Sequence, residues 1–419
     1  MKRIAPLIMF LAGLICISAC GGSDSKDSYV VGIATSSGTG TGPGTGTGPG
    51  TGTGTGTGTS TGTGPGTGTG TGTGTTTGSG QLTISPSSHK PAGTQAAVDK
   101  ALAYLDATGG DIPEDGSGPT GKLVITSFCG LALMASGSTP AEGPYKDAIR
   151  YAANFVAANI SFPGIQGVHN QSNWHVSIGA IFLAEAYKAT GDDTYKVPLQ
   201  ESVTRLAEAQ EPSWGYGHGP QTVCYSGYLE LEIVSNWVIT AMAAAEKCGC
   251  TLDQEKFTNA MKYVTDKCTA PSGSGSLTGG VFYSHDLIRD TSPCRTGGAI
   301  MALHLAGNTK HRDIMTTYLK GTGGYIHTGH GSASMGYLGG ALGCLATDQE
   351  TWDAFVKSFF QRILGHQKSN GSFPAFDGQP GTNSDIVCGP DYYYVTAILT
   401  LALQLDLGNL HFLAGRSSY

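Results

Sequence analysis

Seven ionisable side chains, His169, His175, His218, His285, His327, His330 and Asp391, stand at or just before the start of apolar segments, although they are spread over half of the chain. Imidazoles and a carboxylate in that position suit two chemistries. One is general acid–base catalysis, for which His175, His218, His330 and Asp391 are the candidates, with the phenol of Tyr394 as a further proton donor or base. A hydrolase of glycosidic bonds needs two carboxyls about 5–10 Å apart, and Glu230, Glu232 and Asp377 add to the supply. A lyase uses a tyrosine or histidine as base. The other chemistry is a divalent metal held at a histidine-rich rim by neutral imidazoles and a carboxylate. His327 and His330 have helical ligand spacing, yet Gly329 and Gly331 mark a loop there. Trp174, Trp214, Tyr216, Tyr283 and Tyr325, with Glu230, are the candidate substrate-binding residues, since aromatic rings on loops stack on sugars. The same rings also suit the plain task of packing loop ends. His304 reads as a core residue, and His311 and His366 as surface positions on outer helices.

Elements that bring such distant residues together follow from a repeat. From residue 94 onward a polar amphipathic helix, a glycine–aromatic loop and an apolar helix recur roughly every 50 residues, a period that marks a repeat architecture. The amphipathic members are expected at 94–107, 144–159, 193–210, 253–267, 309–320 and 349–366. In the second, Ala148, Tyr151, Ala152, Phe155 and Val156 form the apolar stripe. Pro144 suits its first turn, and Thr251 with Gln254 and Thr347 with Glu350 read as capping boxes. The apolar members, at 122–136, 173–189, 224–247, 295–306, 332–346 and 391–405, have no polar stripe and are expected to be buried all round. Six buried helices inside six amphipathic ones make an all-α fold, the (α/α)6 toroid. All inner helices then run the same way, so the loops leading into them gather at one mouth.

The toroid is shared by terpenoid cyclases, protein prenyltransferase subunits, thioester domains and several glycan-cleaving families. The chain most resembles the DUF6288 family, through Ser172 to Tyr187 followed by Thr190, Gly191 and Asp192, through Gly227 to Glu232, and through His327, Thr328 and Gly329. That resemblance implies a toroid and brings no established reaction. The aspartate-rich run of terpenoid cyclases is absent, and Asp192 and Asp193 read as a helix cap. Around Cys224 and Asp391 the chain echoes prenyltransferases, but Thr222 and Tyr394 stand where zinc ligands would be needed. Cys388 to Asp391 lack the glutamine of a thioester. A cyclase or prenyltransferase-like enzyme without the usual metal motifs therefore stays a lesser alternative.

The start of the chain reads as processing. Lys2 and Arg3 precede an apolar run too short to span a membrane, and Ile17, Ser18 and Ala19 lead to Cys20 in a pattern that resembles a bacterial lipobox. The resemblance implies a signal peptide at 1–19, lipidation at Cys20 with a mature segment 20–35, and, with Gly21 following, outer-membrane delivery and possible surface exposure. Residues 36–80 alternate threonine and glycine and cannot bury a core, so they form a disordered tether. Residues 81–419 form the toroid. A net charge of −7 without a basic run argues against nucleic acid as partner. The eight cysteines after Cys20 suggest disulfides in an exported domain, with Cys268 and Cys294 the first pair to consider. The expected role is a tethered lipoprotein that cleaves an extracellular glycan or other polymer. A scaffold that binds a glycan or a protein without turnover is the alternative.

Overall fold

The computed structural model describes residues 84–113, 118–161, 172–220, 230–286, 289–308, 310–322, 332–376, 385 and 392–413. Cys20, the tether, His169, Tyr325, His327, His330, Asp377 and Asp391 lie outside these residues. In chain order the helices are α1 (Thr94–Asp106), α2 (Gly118–Ala135), α3 (Lys146–Asn159), α4 (Ser172–Thr190), α5 (Asp193–Glu208), α6 (Glu232–Lys247) and α7 (Gln254–Lys262). They continue as α8 (Pro293–Leu305), α9 (Arg312–Thr322), α10 (Ala333–Thr347), α11 (Gln349–Phe355), α12 (Gln361–Leu364) and α13 (Tyr393–Ala402). A π turn at Tyr263–Lys267 extends α7, and another at Val356–Phe360 joins α11 to α12. Among the described residues only isolated bridges, Thr269 to Val281 and Phe282 to Thr291, interrupt the helical pattern.

The even-numbered helices from α2 to α10, together with α13, form the inner ring. Each packs on the next, and α13 closes back on α2. Helices α1, α3, α5, α7, α9 and α11 lie outside them, each against an inner neighbour. The fold is the (α/α)6 toroid. Its inner helices are buried on every side, as segments without a polar stripe must be: every residue of α10 from Ala333 to Ala346 is buried. Between α8 and α10 the approach is close enough to need glycine. A β-carbon on Gly297 would lie 2.3 Å from the Gly339 carbonyl oxygen, and one on Gly343 would lie 2.2 Å from Gly297 Cα.

Short connections join inner to outer helices at one end of the ring, and long loops return to the inner helices at the other. At the short-connection end, outer helices start on aspartates. Asp192, Asp253 and Asp348 accept from the amides of Thr194, Lys256 and Thr351 at 2.9, 3.0 and 2.8 Å. The caps of α7 and α11 are therefore Asp253 and Asp348, not the expected Thr251 and Thr347, because a carboxylate one or two residues on is better placed to accept from the first-turn amides. The start and the end of the described domain are clasped on this same face. Asp406 accepts from Lys90 Nζ at 2.5 Å, from the Ser87 amide at 2.9 Å and from the Trp352 indole at 3.0 Å. Buried Glu185 accepts from the backbone amides of His411 and Phe412, while Lys247 donates to the Phe412 carbonyl at 3.3 Å.

Three expectations about the helices need correction. Tyr151 is 45% exposed, because α3 buries Ala148, Ile149, Ala152, Ala153 and Val156, a stripe turned away from the tyrosine. His366 is only partly exposed: its ring stacks on Phe376 at 4.1 Å, and its Nε2 donates to the Pro374 carbonyl at 2.9 Å, because the 372–376 segment lies over it. Cys268 and Cys294 are both buried free thiols and are not joined. The Cys294 thiol points across to α10, donating to the Met335 carbonyl at 3.4 Å, whereas the Cys268 thiol lies beside the Tyr263 phenol. His304 is buried as expected, with Nδ1 against Arg312 at 3.2 Å.

The α8–α10 contact gives a direct test of ring closure. Replacing Gly297 by Ala forces backbone apart rather than a flexible side chain, so it should cost about 1–3 kcal/mol in urea unfolding. Gly321→Ala, where a β-carbon meets nothing within 4 Å, should be far milder.

Candidate active site

The long loops bring side chains to the end of the ring where the inner helices begin. The first sector lies at the N-terminus of α4. There the Asn173 amide donates to the His218 carbonyl at 2.9 Å, and Asn173 Nδ2 donates to the Gly217 carbonyl at 3.0 Å. The loop before α6 is thus stapled to α4. Trp174 Nε1 donates to His218 Nδ1 at 2.6 Å, which makes Nδ1 the acceptor and leaves the ring proton on Nε2. The two rings lie within 22° of parallel at 6.0 Å. His175 is beside them, and its Nδ1 is buried without a hydrogen-bond partner. Burial, with His218 adding to the effect, pulls His175 down to about 3, and burial pulls His218 down to about 4. Both imidazoles are neutral near neutrality.

The second sector lies between α6 and α8. Glu230, just before α6, is buried and accepts from the Ser213 hydroxyl. Its Oε2 faces His285 Nδ1 at 3.9 Å, and the Tyr263 ring meets His285 edge-on at 5.7 Å. These groups are pressed together: a β-carbon on Gly215 would lie 2.6 Å from Tyr263 Cζ and 2.7 Å from Glu230 Cβ. Glu232, the first residue of α6, is fully buried with neither carboxyl oxygen in a hydrogen bond of normal geometry. Burial raises it to about 8, against the opposing charge of Arg295. Arg295 is itself buried on the first turn of α8, with its guanidinium 5.3 Å from the Tyr283 ring and donating to the Asp290 carbonyl at 2.8 Å. The Glu232 amide donates to the Tyr283 carbonyl at 3.0 Å, stapling the loop before α8 to α6.

The third sector is at α10. Asp385, buried and distant in sequence, accepts from the Ser332 and Ser334 hydroxyls at 2.5 and 2.7 Å and from the Ser334 amide at 3.0 Å.

Thus the structure brings His175, His218 and Trp174 together, and places Glu230 with His285 in the sector beside them. Tyr394, on the first turn of α13, is buried against Phe128 of α2, with ring centroids 6.0 Å apart. Tyr216 is a packing residue, fully buried, with its phenol accepting from Gln210 at 3.3 Å. That burial removes it from the sugar-stacking rings. Trp214 is partly open but lies under Lys267 of the outer π turn, whose Nζ is 4.3 Å from the ring centroid. Tyr283 is buried beneath Arg295. No three His, Cys, Asp or Glu side chains among the described residues are grouped to hold a metal ion. Tyr263, Arg295 and Asp385 were not singled out from the sequence. A lone arginine inside the apolar run 293–305 was the available signal for one of them.

The chain matches the DUF6288 family, a domain of unknown function, over residues 113–412, and it belongs to that family. Solved structures of the same architecture include the GH76A α-1,6-mannanase of Salegentibacter sp. HEL1_6, in an inactive variant complexed with α-1,6-mannotriose. The similarity has 11% identity, a TM-score of 0.53, and covers 75% of this chain and 99% of that one. The GH76 α-mannanase of Bacteroides thetaiotaomicron is similar at 12% identity and a TM-score of 0.52, covering 75% of this chain and 96% of that one. No curated protein matches in sequence. The likeness is one of fold.

Glu232 makes a pH prediction. Its native pKa lies above the unfolded value of 4.5, so between that value and about 8 the unfolded chain holds fewer protons than the native one. Stability therefore falls as pH rises through this window. Glu232→Gln should flatten the fall and leave the variant more stable than wild type above pH 8, on the order of a few kcal/mol. Urea unfolding at several pH values measures this, and parallel profiles would refute it.

Proposed function

We propose that this protein is an envelope lipoprotein whose toroid hydrolyses an extracellular glycan at the mouth. The observation that carries the reading is the juxtaposition of two kinds of sector at one end of the ring. Trp174, partly exposed and packed with the buried imidazoles of His218 and His175, offers a ring that can stack on a sugar, while Glu230 and His285 offer proton-transfer groups in the sector beside it. N-termini of inner helices point at the same place and favour the oxyanions and hydroxyl oxygens of a polar substrate. The fold is shared over nearly the whole length of two α-mannanases, which supports a glycan as the ligand class.

The mannanase is inactive when two neighbouring aspartates are replaced. Here neighbouring Asp192 and Asp193 start outer helix α5, at the end of the ring opposite the mouth, with Asp192 acting as a cap. The same observation favours, as a second reading, a lipoprotein that binds glycan without cleaving it.

The test is incubation of the purified domain with a panel of neutral and uronic-acid-containing polysaccharides, α-1,6-mannan among them. Release of new reducing ends is expected for at least one. Retention of a glycan in affinity electrophoresis without release would support the binder, and neither outcome with any glycan would refute both. Anchoring is tested separately: Cys20→Ala should move the protein from the membrane fraction to the soluble one, and unchanged partitioning would refute lipid attachment at Cys20.

A further inference from the structure

We propose that His285 is the catalytic acid–base of this mouth and that Glu230 is the residue that positions it. The inference rests on the reading of the mouth as a glycan-cleaving site. His285 Nδ1 is buried without a hydrogen-bond partner and faces two carboxylates, Asp286 at 3.8 Å and Glu230 at 3.9 Å, of which only Glu230 is itself buried, so Nε2 is the nitrogen left to meet a substrate. The side chain of His285 is 25% exposed, whereas that of Glu230 is 6% exposed. A proton passing between this sector and a bound glycan therefore goes through the imidazole, not the carboxylate. Glu230 is fixed from behind by the Ser213 hydroxyl and the Tyr263 ring, and the His285 carbonyl accepts from Arg289 Nη1 at 3.2 Å. A fixed carboxylate this close to the buried nitrogen of an imidazole can close to a hydrogen bond when substrate binds and so orient the ring, as carboxylates do where histidine moves protons in catalysis. The other described histidines at the mouth are less suited: His175 and His218 are both nearly sealed, and His218 Nδ1 is taken by Trp174.

In the step, Nε2–H of the imidazolium gives its proton to the departing glycosidic oxygen as the bond from that oxygen to the anomeric carbon breaks. A water oxygen bonds to the anomeric carbon, its spare proton leaves to solvent, and Nε2 is reprotonated from solvent. The charged and titratable groups facing His285 are Glu230 before α6, Tyr263 of the outer π turn, and Asp286 and Arg289 of its own loop, with Asp286 Oδ1 at 3.8 Å from Nδ1.

With a glycan that the wild type cleaves, His285→Asn should lower kcat about 100-fold or more, leave KM and affinity-gel retention within a few-fold, and leave the circular dichroism unchanged. Glu230→Gln should lower kcat by a smaller factor with KM within a few-fold, because the ring that meets the substrate is kept and only its orientation is lost. Glu230→Asp should restore part of the loss. Proton NMR of the His285 ring gives a readout apart from activity: its ring signals should shift and broaden in Glu230→Gln as the ring loses its fixed orientation. Full turnover by His285→Asn would overturn the proposal while leaving the glycan-cleaving reading intact. An unchanged kcat and unmoved ring signals in Glu230→Gln would overturn the positioning role. A wild type that cleaves no glycan overturns the reading and this inference with it. His311→Ala, immediately before outer helix α9 at the end of the ring with the short connections, is the control.

Discussion

Six helices without a polar face impose the constraint on which everything else depends. None can lie at a surface, so each needs neighbours on both sides, a cover of outer helices and an interior filled by the ring itself. A closed circle is the arrangement that meets all these needs at once. Where side chains would hold two inner helices apart, as between α8 and α10, the chain gives up helix propensity for glycine and gains backbone contact. Closure in turn sets all inner N-termini at one end, and there a second requirement appears. The first amides of a helix have no partner within it, and at a buried helix start they must find one nearby.

The mouth loops supply that partner in a recurring way. The loop before α6 accepts from Asn173 of α4, the loop before α8 accepts from Glu232 of α6, and Asp385, which precedes α13 in the chain, accepts from Ser334 of α10. In each case a loop satisfies the inner helix that precedes its own. The side chains carried by these loops are thereby held against a neighbouring helix by backbone bonds, and the geometry of Trp174 with His218 and of Glu230 with His285 follows from it.

Much of this architecture was legible in the sequence, because the apolar segments and the glycine–aromatic loops repeat with a fixed period. The site was less legible, for reasons that particular residues show. Trp174, Trp214 and Tyr216 look alike as aromatics near glycine, yet one pairs with a histidine, one lies under an outer lysine and one is sealed. Only the depth of each loop distinguishes them, and depth is set by contacts made far along the chain. Asp385 could not be assigned to Ser334 from sequence, since they are 51 residues apart. The expected pairing of Cys268 with Cys294 rested on their bracketing a loop. It failed because loop length says nothing about where each thiol points. His366 was misplaced for a similar reason, as the segment that covers it belongs to the following loop.

The clasp at Asp406 has a mechanical meaning. Ser87 and Lys90 at the beginning of the domain and Trp352 near its end converge on this one carboxylate, so the first and last repeats are buckled together without a covalent link. Tension applied through the N-terminal end falls on that buckle before it reaches any inner helix. The ring behaves as a belt fastened by non-covalent bonds between its first and last turns, with this one buried carboxylate the point on which the most distant of them converge.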